Sequence, residues 1–596
     1  MNTETHSTSS GQAKQCQNCK NQFTVEPEDF NFYEKMKVPS PTFCPECRRQ
    51  RRGAWRNERT LHRRECDLCH KSIIGLYPQG TVFPVYCNEC WFSDKWEALQ
   101  FGQEYDFSKP FFEQFKGLGQ KVPRLAIWVQ QSANSEYTNQ AYANKNAYLS
   151  FALRDSEDVA YVTRAVQVKR SLDVTYTHHS EFLYQTVDCD KSYKSRFIEG
   201  GEGCVESGFL SNSRNCQNCF GGVNLRSASY VFFGEQLDKN TFNEKIKALS
   251  FGSRKVQQEL TERFNKLKLE SIYRFAKLTN TSNCKGDHLS NAKNCHWVFD
   301  GFELENARYS SWVFTSKEIS DCYGMGGSEF VYEGIGVEEV SNTKFSTVTD
   351  GSNHVQYTDL CSASSHLFGC VGLRNKQYCI LNKQYTKEEY EALVPKIIAH
   401  MDEMPYTDAK GRVYKYGEFF PAQLSPFAYN ETIAQENFPL TKEQASEQGY
   451  AWRELEGKDY KPTKKSDELA DDIKDATSEI TKEVIECGHG GSCGHQCSTA
   501  FRITAQEFEL YKQMNIPLPV TCPNCRFYER LALRNPLKLW KRMCQCKGKQ
   551  SENGVYQNTI EHFHKDQSCS NEFETSYASD RKEIVYCEQC YQAEVI

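Results

Sequence analysis

The chain has 596 residues with 72 basic and 78 acidic side chains, a net charge of −6, which argues against a surface that binds nucleic acid everywhere. Hydrophobic residues make up 39% of the chain, and no apolar run is long enough for a membrane helix, so no membrane partner is expected. We expect a cytoplasmic protein, in which the 28 cysteines serve as metal ligands and buried thiols rather than disulfides. Residues 1–14 lack the basic and apolar regions of a signal peptide and are predicted to be a disordered tail.

Residues 15–100 are predicted to form an N-terminal double zinc-ribbon module. Four cysteine pairs, each with two residues between its members, follow one another at ribbon spacing. Two such pairs supply four thiolates that can close a tetrahedron around one Zn²⁺. The predicted ligand sets are Cys16, Cys19, Cys44 and Cys47 for the first site, and Cys66, Cys69, Cys87 and Cys90 for the second.

Residues 487–596 repeat this spacing in a second double module. Cys19 to Cys44 and Cys497 to Cys522 both span 25 residues, and Cys-Pro-x-Cys-Arg follows in each copy. The predicted ligands are Cys493, Cys497, Cys522 and Cys525 for one site, and Cys544, Cys569, Cys587 and Cys590 for the other. Alternatives are Cys487 or His495 for Cys493, and Cys546, His562 or His564 for Cys544. We expect about four structural zinc ions per chain.

The pattern Cys-x-x-Cys…Phe-Tyr…Pro-x-Pro-x-x-Cys-Pro-x-Cys-Arg covers about 35 residues at each end of the chain. It resembles the treble-clef "probable zinc-ribbon" domains of bacteria. More loosely, the whole chain resembles a group of uncharacterised zinc-ribbon proteins from candidate-phyla bacteria. The resemblance implies zinc as the cofactor and no established activity.

The central region is predicted to be a duplicated β-solenoid, with one half at 131–238 and the other at 282–385. Short β-like segments opened by Asn or Asp recur at steps of about 12 to 15 residues, which is typical of stacked coils. A shift of 148 residues places Asn146 on Asn294 and Asp173 on Asp321. An antiparallel sandwich is the alternative.

The central cysteines are predicted to be buried packing residues. At the 148-residue shift Cys295 aligns with Ala147, and Cys322 aligns with Val174. A position that alternates between cysteine and a small apolar residue is typical of a packed core. A fifth metal site at Cys216 and Cys219 is the alternative.

Four further segments complete a mixed, β-rich fold. Residues 101–130 are predicted to be a connector, 239–281 a helical insert, 386–404 a helix and 405–486 a charged connector. Thr386 with Glu389 three residues later indicates a capping box at the start of that helix. The last part of the connector, from Lys461 to Glu486, is rich in charge and is expected to be solvated.

Arginine-rich segments lie between the two zinc sites of each module. Residues 48–64 carry a net charge of +7, and residues 526–542 carry +5. Helices here would present a basic stripe to phosphates. The candidate nucleic-acid contacts are Arg48, Arg49, Arg52, Arg56, Arg59 and Arg63 in the first segment, and Arg526, Arg530 and Arg534 in the second. Alternatively, these arginines pair with acidic residues of the solenoid or connector.

The sequence thus predicts a zinc-binding, non-enzymatic protein with RNA, DNA or another protein as candidate partner. One alternative is a protein scaffold with purely structural zinc. A second alternative is an enzyme with a site on the solenoid face. The sequence contains no Ser/His/Asp set, Walker loop or His-Glu-x-x-His motif in a recognisable context, and it does not indicate an oligomeric state.

Overall fold

The computed structural model describes residues 11–454 and 461–595. The chain divides into two compact units, each built from two stretches of sequence. Unit 1 comprises Met1–Ile127 and Ala276–Glu454, and unit 2 comprises Trp128–Phe275 and Leu455–Ile596. Unit 1 therefore contains the N-terminal cysteine module and the second half of the central region. Unit 2 contains the C-terminal module and the first half.

Helices occupy a minority of the described residues. They are α1 Pro27–Met36, α2 Pro45–Gly53, α3 Asn88–Trp91, α4 Phe111–Gly119, α5 Lys239–Ala248, α6 Arg254–Leu269, α7 Lys387–Glu403, α8 Ile433–Asn437, α9 Lys442–Glu447, α10 Ala505–Met514, α11 Pro523–Ala532 and α12 Glu588–Val595. The predicted capping box of α7 is confirmed, since the Thr386 hydroxyl accepts a bond from the Glu389 backbone N–H and Glu389 accepts one from Thr386.

A 10-stranded sheet, the first parallel sheet, forms the core of unit 2. Its strands are Val129–Gln130, Thr138–Tyr142, Lys145–Tyr148, Ser150–Arg154, Glu157–Asp190, Tyr193–Glu202, Gly208–Arg214, Phe220–Val223, Val231–Phe232 and Glu235–Gln236. All pairs are parallel except the last. Paired residues lie 12 positions apart, as in Leu153 with Ala165 and Ile198 with Leu210.

An 11-stranded sheet, the second parallel sheet, has the same organisation in unit 1. Its strands are Leu278–Ser282, Lys285–Lys293, His296–Arg308, Ser311–Ser320, Tyr323–Gly326, Glu329–Ile335, Ser341–Thr347, Asn353–Asp359, Ser365–Phe368, Gln377–Ile380 and Lys383–Gln384. Only the final pair is antiparallel. The 12-residue register recurs, as in Gly301 with Val313. The antiparallel sandwich is therefore wrong for both sheets.

Each parallel sheet buries aliphatic side chains and central cysteines. In unit 2, Cys216 and Cys219 share a hydrophobic cluster with Val174 and Leu183. In unit 1, Cys295 and Cys322 are buried in a similar cluster. Their burial agrees with the packing role predicted from the alternation with small apolar residues.

Short two-stranded sheets carry the cysteine modules. Four antiparallel hairpins pair Gln12–Gln15 with Gln22–Val25, His62–Glu65 with Ser72–Gly75, Ile485–Glu486 with Ala500–Phe501, and Trp540–Met543 with Glu572–Thr575. Three further pairs join Val85–Tyr86 to Arg124–Leu125, Ile272–Arg274 to Ile584–Tyr586, and Tyr406–Thr407 to Val413–Tyr414. In every hairpin of the first group, the first strand ends directly before a cysteine.

Two predicted loops are more ordered than expected. Residues 1–10 of the predicted tail lie outside the described residues, but Gln12–Gln15 is a paired strand. The segment from Lys461 to Glu486 was expected to be solvated. It instead buries Leu469, Ile473 and Ile480 against α10, because these apolar residues are interspersed among its charged residues. Among the described residues, no helix combines the length and apolarity needed to cross a membrane.

Candidate metal centres and their arginine contacts

Four groups of four cysteines each bring their sulfur atoms within 4.8 Å of one another. Each group could hold a metal ion. The groups are Cys16, Cys19, Cys44 and Cys47; Cys66, Cys69, Cys87 and Cys90; Cys487, Cys497, Cys522 and Cys525; and Cys544, Cys569, Cys587 and Cys590. We call them tetrads 1 to 4 in chain order.

The sulfur separations test whether zinc fits. A regular tetrahedron with Zn–S bonds of about 2.3 Å places its sulfurs about 3.8 Å apart. The sulfurs of Cys19 and Cys44 are 3.8 Å apart, and those of Cys569 and Cys587 are 3.9 Å apart. Cys69 with Cys87 and Cys497 with Cys522 also give 3.9 Å. These distances are far too long for disulfide bonds and suit a closed, four-coordinate zinc site.

A backbone N–H donates to one sulfur at the same place in every tetrad. Cys44 donates to Cys16 at 3.3 Å, and Cys87 donates to Cys66 at 3.3 Å. In the C-terminal module, Cys522 donates to Cys487 at 3.2 Å, and Cys587 donates to Cys544 at 3.2 Å. Such donors favour the thiolate, the form of cysteine that binds metal.

The equivalent bonds identify the first sulfur of tetrad 3 as Cys487, at the place for which Cys493 was predicted. Cys487 directly follows the strand Ile485–Glu486, as Cys16 follows Gln12–Gln15. Its backbone N–H bonds across the hairpin to Thr499. Cys493 lies in the loop between the hairpin strands, with its sulfur 3.5 Å from that of Cys525.

Tetrad 4 contains Cys544, the residue favoured over Cys546. The alternative donors are nonetheless close. The Cys546 sulfur lies 3.5 Å from His562 Nδ1, and His564 Nε2 lies 3.3 Å from the Cys590 sulfur. Beside tetrad 3, His489, Cys493 and His495 form a second group with Cys525, with ligand atoms within 4.8 Å of one another.

Tetrads 1 and 3 each fix the start of an arginine-bearing helix. Cys44 and Cys522 occupy the N-cap positions of α2 and α11, and a proline follows each of them at the first helical position. Proline suits that position because its missing N–H would be unpaired there anyway. Cys47 and Cys525 lie in the first turn, where the positive end of the helix dipole stabilises thiolates.

In unit 1, α2 directs its arginines into buried carboxylates. Arg48 donates two bonds of 2.9 Å to Asp321. Arg52 lies 3.0 Å from Asp321 and 3.1 Å from Glu333, and Arg51 bridges Glu333 and Glu418 at 2.8 and 2.7 Å. The side chains in these pairs are at most 5% exposed.

The protonation of the two central carboxyls reflects this burial. Burial would raise the pKa of Asp321, but Arg48 and Arg52 hold it below its usual value. Burial raises the pKa of Glu333 more than Arg51 and Arg52 lower it. Asp321 is therefore the more firmly ionised partner of the arginines.

The predicted basic stripe on a single helix is wrong, because α2 ends at Gly53. Arg56 lies beyond it and pairs with Glu58 at 2.8 Å. Arg59 is 13% exposed and lies 3.9 Å from Glu436. Arg63 stands in the strand His62–Glu65 and is exposed.

Arg49, also in the predicted stripe, packs over the Phe299 ring at 5.4 Å. Burial, with the nearby Arg52, lowers its pKa to about 10. An arginine that binds phosphate from solvent would stay hydrated, so its pKa would not be lowered by burial in this way.

Unit 2 forms the same contacts with α11. Arg526 and Arg530 pair with Asp173 at 2.9 and 2.6 Å, and all three side chains are at most 3% exposed. Arg534, just after the helix, pairs with Asp188 at 2.9 Å. The sequence shift of 478 residues that aligns Arg48 with Arg526 accompanies the 148-residue shift that aligns Asp321 with Asp173. Because the two shifts occur together, aligning both copies could have identified Asp321 and Asp173 as the partners of these arginines from the sequence.

A tyrosine–carboxylate contact recurs in the same way. The Tyr309 hydroxyl donates to Asp29 at 2.8 Å in unit 1, and the Tyr161 hydroxyl donates to Glu507 at 2.8 Å in unit 2. Asp29 and Glu507 lie on α1 and α10, the helices that precede the arginine-bearing ones. Each cysteine module is thus attached to its parallel sheet through two successive helices.

Comparison with known protein families gives no match for this chain, and no curated protein matches it.

Proposed function

We propose that this protein is a non-enzymatic scaffold in which zinc ions have a structural role. The observation that carries the proposal is the buried pairing of the arginines that follow tetrads 1 and 3. Arg48 with Asp321, and Arg526 with Asp173, join each cysteine module to a parallel sheet. Zinc at these tetrads fixes the helix starts from which the arginines extend.

The energetics support a structural role. Burying a charged pair costs several kcal/mol in lost hydration, which is offset only when the geometry is well held. The free energy of zinc binding by such cysteine sets is about 10–16 kcal/mol near neutral pH. Metal at Cys44 and Cys47 would therefore help to hold Arg48 and Arg52 where their carboxylates lie.

The coordination also supports this role. Four sulfurs surround each proposed metal position at tetrahedral spacing, which leaves no position for a substrate or an activated water. A catalytic zinc site keeps such a position open. The enzyme alternative gains no support from the tetrads.

Nucleic-acid binding by the same arginines is the competing hypothesis. Phosphate contacts require guanidinium groups that reach solvent. Arg48, Arg52 and Arg526 are each at most 3% exposed and already paired with carboxylates. The burial of these groups favours the scaffold, with another protein as the candidate partner.

We also infer that the two parallel sheets are β-solenoids and that the whole unit, not only the cysteine module, is duplicated. The recurring 12-residue register supports stacked coils. Within Glu157–Asp190, every third residue from Asp158 to Asp188 has a left-handed φ, so the chain turns repeatedly instead of running straight. The recurring arginine–aspartate and tyrosine–carboxylate contacts support duplication of the unit. The use of 28 cysteines as ligands and packing residues rather than disulfides supports a cytoplasmic location.

The test measures RNA and DNA binding by the full chain at two salt concentrations, together with the absorbance ratio of freshly purified protein. The scaffold proposal expects weak binding, no copurifying nucleic acid and a shallow dependence on salt. A steep log–log salt slope that falls by about one unit for each arginine replaced would instead support the nucleic-acid hypothesis. Arg63→Ala is the variant in which an exposed arginine is replaced, because Arg63 lies outside the buried ion pairs.

A further inference from the structure

The C-terminal module differs from the N-terminal one in two cysteine pairs. Cys16 and Cys19, like Cys66 and Cys69, have two residues between them. Their counterparts are longer, with nine residues between Cys487 and Cys497 and 24 between Cys544 and Cys569. Each longer loop contains one cysteine and two histidines: Cys493 with His489 and His495 in the first, and Cys546 with His562 and His564 in the second.

Both loops bring these donors to the last cysteine of their tetrad. His489, Cys493 and His495 gather with Cys525, all ligand atoms lying within 4.8 Å of one another. At tetrad 4, His564 Nε2 reaches to 3.3 Å from the Cys590 sulfur. Cys525 and Cys590 also belong to tetrads 3 and 4, so each sulfur faces two donor groups.

The separations at tetrad 4 suit a second metal ion. In a tetrahedral zinc site, a histidine nitrogen and a cysteine sulfur lie about 3.5 Å apart, given Zn–N near 2.0 Å and Zn–S near 2.3 Å. Cys546 Sγ and His562 Nδ1 are 3.5 Å apart, close to this value. Asn558 donates to the Cys546 sulfur at 3.2 Å, which favours its thiolate.

Each histidine at tetrad 4 has an oxygen acceptor at one ring nitrogen and a cysteine sulfur at the other. His562 Nε2 lies 2.8 Å from Glu594, and both side chains are completely buried. His564 Nδ1 lies 2.7 Å from the backbone oxygen of Gln567. When these nitrogens carry the protons, His562 Nδ1 and His564 Nε2 are left with lone pairs directed toward the sulfurs. An outer carboxylate or carbonyl of this kind accompanies most metal-binding histidines.

The loop at tetrad 3 contains potential metal-ligand atoms that have no hydrogen-bond partner among the described residues. The Nδ1 atoms of His489 and His495 are buried without a hydrogen-bond partner among the described residues. His489 Nε2 faces Glu529 at 3.7 Å. The Cys493 sulfur is 3.5 Å from that of Cys525. Buried polar nitrogens without partners are costly, and a metal ion would satisfy both.

We propose that tetrads 3 and 4 are each the core of a two-metal site. The second zinc ion takes one cysteine and two histidines from the inserted loop and shares the Cys525 or Cys590 thiolate with the tetrad. Adding a divalent ion with only one further thiolate also makes the buried cluster less negative, which reduces the cost of burying it. The N-terminal tetrads lack these loops and bind one ion each. This inference requires metal at the tetrads but not the scaffold role.

Metal analysis of the full chain gives the first test. We expect about six zinc ions per chain, four in the tetrads and two in the added positions. The pair of substitutions His562→Ala and His564→Ala should remove one ion, as should His489→Ala with His495→Ala. His70→Ala is the matched control because His70 follows Cys69 in the N-terminal module and is exposed; it should remove none. About four ions in the unmodified protein, with no loss in either histidine variant, would overturn the proposal. Fewer than four would also count against metal at the tetrads.

Cadmium-113 NMR of the unmodified protein keeps the test independent of whether the variants fold. A thiolate shared by two cadmium ions transmits scalar coupling between them. We expect two coupled pairs of resonances, from the two C-terminal sites, and two uncoupled resonances from the N-terminal tetrads. Uncoupled resonances alone would contradict the bridging cysteines.

Discussion

Replacement of Asp321 by alanine tests the buried arginine contacts of unit 1. The Asp321 side chain is completely buried and accepts two bonds from Arg48, while Arg52 lies 3.0 Å away. In the variant, Arg48 loses both charged bonds and keeps the Phe43 backbone oxygen, and Arg52 keeps Glu333. Removing one partner of a buried ion pair costs about 3–5 kcal/mol, because the remaining charge is left uncompensated.

Native-state hydrogen exchange measured by mass spectrometry is the assay, since it resolves the two units separately. A loss of about 3–5 kcal/mol corresponds to a decrease in protection of roughly 150-fold to 5,000-fold. We expect that decrease in peptides from α2 and from the strand Glu329–Ile335 of unit 1. Asp173→Ala is the matched change in unit 2 and should affect α11 instead. Lys71→Ala, which breaks an exposed pair with Glu89, should change neither unit. A decrease of less than about tenfold for Asp321→Ala would refute the reasoning.

Three further outcomes are expected. Cys487→Ser should remove metal from tetrad 3 and lower the exchange protection of α11, whereas Cys493→Ser should leave that protection largely intact; the reverse result would restore Cys493 to the tetrad. The arginine neighbours of Asp321 hold its pKa below the ordinary value. The loss of stability caused by Asp321→Asn should therefore be at its full size at neutral pH, and in acid-unfolding curves it should shrink as the pH falls below about 3.9. A pH-independent difference between the two proteins would contradict this. Arg63→Glu should leave the thermal midpoint unchanged, since Arg63 is exposed, and a marked decrease would show that it has a structural partner.

The sequence was sufficient for features that depend on short spacing. Cys16 and Cys19 have two residues between them at a hairpin, so the tight turn alone brings their sulfurs together. The capping box at Thr386 is equally local. The repeat spacing of the central region also anticipated strands that pair at a recurring offset, because register follows the repeat length.

Features that depend on distant residues could not be read from spacing. Cys487 is separated from Cys497 by a nine-residue loop, so only the pairing of the hairpin strands identifies it as the counterpart of Cys16. The carboxylate partner of Arg48 lies 273 residues away in the chain. Local charge counting therefore indicated an exposed basic stripe where the fold forms buried ion pairs.

The central claim is that metal at tetrads 1 and 3 holds the helices whose arginines join each module to its sheet. Hydrogen exchange of the full chain before and after zinc removal by a chelator tests it most directly. The account predicts that α2 and α11 lose protection together with the segments that hold Asp321 and Asp173, while α7, whose Tyr390 packs against Tyr378 of the second parallel sheet, keeps its protection. Unchanged protection of α2 and α11 in metal-free protein would contradict the account.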